Sequence, residues 1–117
     1  MSSVVSEHDE RFGKTARSLL GEYGAKLDSI RANLENLRDR YRAGNVEKEY
    51  FQAQRNLESN AYKRFKPALL NFARRVSQQL EHGDLDDVTD LELQLRLADF
   101  ESNIERTDKF FQYLARG

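Results

Sequence analysis

The chain holds two histidines, His8 and His82, no cysteine and no tryptophan, which limits its chemistry at once. Imidazole and thiolate supply many of the tuned bases, nucleophiles and transition-metal ligands of proteins. Zero cysteine removes disulfides, thiolate zinc sites and cysteine nucleophiles. Neither histidine belongs to a His-x-x-x-His or Glu-x-x-His pair, the spacings that set two ligands on one helical face. His82 stands beside Gly83, where a helix is expected to close and a cation suits the helix dipole. No Gly-x-x-x-x-Gly-Lys or Gly-x-Gly-x-x-Gly phosphate loop occurs, and no Gly-x-Ser-x-Gly nucleophile turn. The expectation is a protein with no catalytic activity, cofactor or metal.

Charge offers two further candidate sites. The formal net charge of −1 is a cancellation. Residues 61–80 hold five bases and no acid, whereas residues 81–101 hold eight acids and one base. The bases Lys63, Arg64, Lys66, Arg74 and Arg75 form a candidate basic face for phosphate groups. They lie roughly opposite Phe65, Leu69, Phe72 and Val76 on a helical wheel, as in an ordinary amphipathic helix. Glu92, Asp99 or Glu101 could neutralise them if the chain folds back at Gly83. The acids Asp84, Asp86, Asp87 and Asp90 form a candidate acidic face. Their spacing does not fit a calcium loop, since Leu95 stands where the closing glutamate would be. Acids at a helix N-terminus account for the cluster, and a basic partner or nucleic-acid mimicry is the functional alternative.

Three helical segments must position these residues, over 11–43, 46–82 and 86–115, after a polar, flexible leader at 1–10. In the first, Leu20, Tyr23, Leu27, Ile30, Leu34, Leu37 and Tyr41 alternate spacings of three and four, the a/d seam of a coiled coil. Gly44 is expected to close that helix in the left-handed conformation, and Asn45 to cap the next. In the second, Tyr50, Ala53, Leu57 and Ala61 make a thin apolar stripe, followed by Tyr62, Phe65, Leu69, Phe72, Val76 and Leu80. Pro67 predicts a kink or a split there. The third opens on the capping box Thr89-Asp90-Leu91-Glu92, with an earlier start at Asp84 or Asp86 as the alternative. Leu93, Leu97, Phe100, Ile104, Thr107, Phe111 and Leu114 form its seam. Leu91, Leu95 and Ala98 widen that seam as if to meet a second neighbour.

Short breaks at Gly44 and Gly83 imply antiparallel neighbours. The expected fold is all-α: an elongated antiparallel three-helix bundle, or a coiled-coil hairpin with a third helix. At 38% apolar and 33% charged its core is thin. No apolar run reaches the roughly 18 residues of a membrane span, and no signal-peptide core follows Met1, so the expected location is cytoplasmic, with no membrane contact. The leading functional reading is a helical protein–protein interaction module: an adaptor, assembly factor or small inhibitor. Its partner is another protein, and the first helix's seam could also serve a homodimer. The alternative is a nucleic-acid-binding or nucleic-acid-mimicking protein that uses the 63–75 or 84–101 face.

Overall fold

The computed structural model describes residues 7–83 and 85–116. They form three α-helices, α1 (Glu7–Arg42), α2 (Lys48–His82) and α3 (Asp87–Arg116), each packed on both others as the seams require. The bundle is a rod of 66 × 21 × 19 Å with a radius of gyration of 18.3 Å. A round domain of this length has a radius near ~13 Å. Residues 7–10 of the expected leader belong to α1. Residues 1–6 and Asp84 lie outside the described residues.

The α1–α2 connection is a Schellman turn. Gly44 takes φ +80°, its N–H bonds to the carbonyl of Tyr41 at 3.0 Å, and the N–H of Asn45 bonds to that of Arg40 at 2.8 Å. This pattern satisfies carbonyls that the helix end would otherwise leave free. The turn uses Asn45 to close α1, so Asn45 does not cap α2. Glu47 takes the cap position instead, in extended backbone and without a side-chain bond.

At the second break Gly83 is extended (φ −82°), not left-handed as a closing glycine would be, and its N–H bonds to the Gln79 carbonyl at 2.6 Å. A Cβ at residue 83 would stand 2.5 Å from that oxygen, so close approach, rather than φ, selects glycine. The start of α3 follows the alternative reading: Asp86 Oδ2 accepts from the Thr89 N–H at 3.2 Å. Thr89 is thus inside the first turn and does not head a capping box.

Pro67 splits nothing; α2 runs unbroken through it. Proline removes the N–H that would meet the Lys63 carbonyl, but both residues are exposed, so water can take that place.

Two apolar clusters fill the core. Leu20, Leu27, Leu69, Val76, Leu93, Phe100 and Ile104 anchor the longer one, with Tyr23 set edge-on between Phe65 (5.9 Å) and Phe72 (5.3 Å). Leu34, Leu37, Phe51 and Leu114 form the second at the hairpin end, where Tyr41 stacks on Phe51 at 4.6 Å. A polar layer lies between α1 and α3. Arg31 Nη1 donates to Asn103 Oδ1 and, at 2.8 Å, to Thr107 Oγ1, while Nη2 donates to Asp28 Oδ1 at 2.6 Å. Asn103 Nδ2 returns to Asp28 Oδ1 at 3.1 Å and to the Gly24 carbonyl at 3.3 Å. Buried polar groups cost free energy unless satisfied, and these are satisfied mutually.

Candidate functional site

The seam Leu20, Tyr23, Leu27, Ile30, Leu34, Leu37 and Tyr41 faces α2 and α3 of its own chain. Leu20, Leu27, Leu34 and Leu37 are buried and the other three half-buried. The seam is thus used within the chain's own bundle.

The apolar stripe expected to bury the first half of α2 points to solvent. Tyr50 and Leu57 are 50% and 62% exposed, and Ala53 and Ala61 are exposed with them. Phe51 takes the core position instead. Residues 51 and 62 are eleven apart, three helical turns, so Phe51 continues the Tyr62–Leu69–Val76 face.

α3 packs on both α1 and α2, but the residues expected to widen its seam are largely exposed. Leu91 and Leu95 are 58% and 61% exposed, Val88 is 75% exposed, and Ala98 is exposed between them and the C-terminal half. Residues 88, 91, 95 and 98 are spaced three, four and three apart, one stripe on a helical surface. It lies opposite the buried set Leu93, Leu97, Phe100 and Ile104. Scattered exposed leucines are ordinary, but an aligned run on one helix face is a surface that can be covered.

The acids frame that stripe. Asp86, Asp87, Asp99 and Glu101 are exposed and Asp90 half-buried. Asp86 has its carboxyl held below the usual range by the hydrogen bonds from Thr89, so it stays charged as the helix cap. Glu92 turns inward along the surface to Arg17 of α1 at 3.0 Å and to Arg96 at 3.0 Å.

The expected neutralisation of the basic face by Glu92, Asp99 or Glu101 does not occur. Lys66 alone of the five bases is tied down, by an acid outside the expected three: its Nζ lies 2.7 Å from Asp108 Oδ2. The other Asp108 oxygen accepts from Tyr62 OH at 2.7 Å. Burial first, and then the Asp108 bond and charge, push the Tyr62 phenol well above its ordinary value, so it remains a neutral donor. Lys63, Arg64, Arg74 and Arg75 are exposed.

At the opposite end of α3 a cleft brings Arg38 and Arg42 of α1 to Tyr113 and Arg116 of α3, a convergence that no spacing announces. Among the described residues no group of three or more His, Asp or Glu side chains is placed to hold a metal ion. No helix of the described residues is long and apolar enough to cross a membrane. No family model matches the chain, and neither a curated protein nor a solved structure matches it significantly.

Proposed function

We propose that this protein is a non-enzymatic interaction module that docks a basic amphipathic helix of another protein on the outer face of α3. The observation that carries the reading is the exposed stripe Val88–Leu91–Leu95–Ala98 set among Asp87, Asp90, Asp99 and Glu101. An apolar helix face reads anchors at i, i+3, i+4 and i+7 on its partner, and acids on its rim select a cationic flank. The same rim disfavours a second copy, whose own acids would meet these.

The exposed parts of Val88, Leu91 and Leu95 amount to about two side chains. At roughly 2 kcal/mol each, covering them supplies about 4 kcal/mol before association costs. That corresponds to millimolar affinity at best, so charge attraction has to supply the remainder. The reading therefore expects weak, salt-sensitive docking. A labelled Leu/Lys amphipathic helical peptide should shift the amide resonances of residues 87–102 in a nitrogen–proton NMR titration. An acidic peptide of equal hydrophobicity should not. Equal binding of both peptides, or shifts mapping elsewhere, would reject the proposal.

A second reading has an observation of its own: Lys63, Arg64, Arg74 and Arg75 remain exposed on α2. It expects binding to duplex or single-stranded nucleic acid that falls steeply with salt and is lost in Arg74→Glu/Arg75→Glu. No binding at low salt ends it.

A further inference from the structure

The hairpin end of the rod carries more cation than the fold uses. There the last turns of α1 and α3 meet the first turn of α2 around a cleft of about 310 Å³. Arg38, Arg42 and Arg116 stand on its rim, and Tyr41, Phe51, Leu114 and the Tyr113 ring wall it. Arg42 donates to Tyr113 OH at 3.1 Å, and the Arg38 guanidinium lies over the Tyr113 ring at 5.3 Å. For Arg38 the nearby carboxylate is the exposed Asp39, at 3.8 Å. Among the described residues no carboxylate pairs with Arg42 or Arg116.

A basic residue in a last helical turn is ordinarily explained by the helix dipole. That suffices for exposed Arg42 and Arg116. It does not account for Arg38, whose side chain is 21% exposed and whose Nε is buried without a hydrogen-bond partner. An unmade donor in a desolvated place costs free energy, so helix-end electrostatics alone do not explain why Arg38 is held here. The field at the cleft is felt by Tyr113, whose phenol is held below its ordinary value by the Arg42 bond and then by the charges of Arg42 and Arg38.

We propose that this cleft binds an oxyanion, carboxylate or phosphate, carried on a single aromatic ring or an apolar body of similar size. Guanidinium forks match the paired oxygens of both anions. The volume lies at the lower end of small-molecule sites, which run from about 300 to 1,000 Å³. The apolar walls favour a body over a bare ion. This site sits at the other end of α3 from the acid-rimmed stripe, and neither proposal depends on the other.

The test is an NMR titration of the full chain with phenyl phosphate, benzoate and inorganic phosphate, repeated in Arg42→Gln and Arg116→Gln. Both substituted side chains are exposed, so these variants leave the packed core in place. Phenyl phosphate or benzoate should shift the resonances of Tyr41, Phe51 and Tyr113 and bind at least tenfold more tightly than inorganic phosphate. Each substitution should weaken binding about tenfold, and Tyr113→Phe, which keeps the ring, should change it less. Inorganic phosphate binding as tightly as phenyl phosphate would overturn the apolar body. Shifts outside the cleft, no binding of either aromatic anion, or full affinity in Arg42→Gln and Arg116→Gln would overturn the site.

Discussion

Replacing Asn103 with leucine removes the acceptor that holds Arg31 between α1 and α3, and its cost can be worked from the geometry. Asn103 is 6% exposed and leucine has the same branched heavy-atom skeleton, so the change is chiefly one of hydrogen bonding. Arg31 loses the Asn103 Oδ1 contact and Asp28 loses the Nδ2 donor, while Thr107 and Asp28 still face the guanidinium. A hydrogen bond to a charged group contributes about 1.5–3 kcal/mol when buried. The Arg31 side chain is 19% exposed, which leaves some water access and reduces the cost to roughly 2 kcal/mol. With ~2.1 cal/mol/K of unfolding entropy per residue over 117 residues, that is a Tm loss of about 8 °C. Arg31→Met leaves Asn103 Oδ1 without its donor and should cost a similar amount. The double variant has neither orphan and should cost less than the sum by at least ~1 kcal/mol. Thermal and urea unfolding followed by circular dichroism at 222 nm measure all four corners of the cycle. Additivity within ~0.5 kcal/mol, or a stabilised Asn103→Leu, would refute a coupled polar layer that aligns α1 with α3.

Leu93→Ala removes a fully buried side chain and should cost about 2–5 kcal/mol, whereas Leu95→Ala, two residues away on the exposed stripe, should stay within ~0.5 kcal/mol; urea unfolding separates them. Tyr62→Phe loses bonds to the Ile104 carbonyl and Asp108 and should cost about 1–1.5 kcal/mol near neutrality. Because folding raises the Tyr62 pKa, its contribution is complete below the unfolded value near ~10 and is lost as pH rises beyond it, so alkaline unfolding should be shallower in Tyr62→Phe. Asp86 behaves oppositely: its pKa is lowered, so its stabilisation is present above the unfolded value and fades as pH falls through the folded one. Asp86→Ala should lower Tm at pH 7 and by less at pH 2, whereas a Tm deficit independent of pH would argue against the cap.

The seams of α1 and α3 were legible because spacing of three and four at seven positions leaves one face for leucine and phenylalanine to occupy. Thr107 was visible as the polar member of the α3 seam, but its partners Arg31 and Asn103 were not, because the meeting of two residues 72 apart in sequence depends on how their helices are rotated. The first half of α2 is turned by roughly 100° from the face expected. Tyr50, Ala53, Leu57 and Ala61 are the more apolar set, yet the Tyr41–Phe51 stack and the continuity of Phe51 with Tyr62 decide the rotation. Three helical turns back from Tyr62, a stretch with no proline, lies Phe51. The α3 stripe was seen as residues and misplaced as contacts, since a thin bundle covers only the inward part of each helix. Arg38, Arg42 and Arg116 gave no pattern, because they converge from helix ends 74 residues apart.

One comparison of binding isotherms tests docking on the α3 stripe. Fluorescence anisotropy of a labelled basic amphipathic helix would be titrated with the native chain and with Leu91→Asp/Leu95→Asp, at low and at physiological salt. Docking there gives saturable binding to the native chain that weakens with salt, and at least a tenfold loss in the double variant with its circular dichroism spectrum and Tm unchanged. Native-like binding by the folded double variant, or no binding to the native chain at low salt, would contradict it.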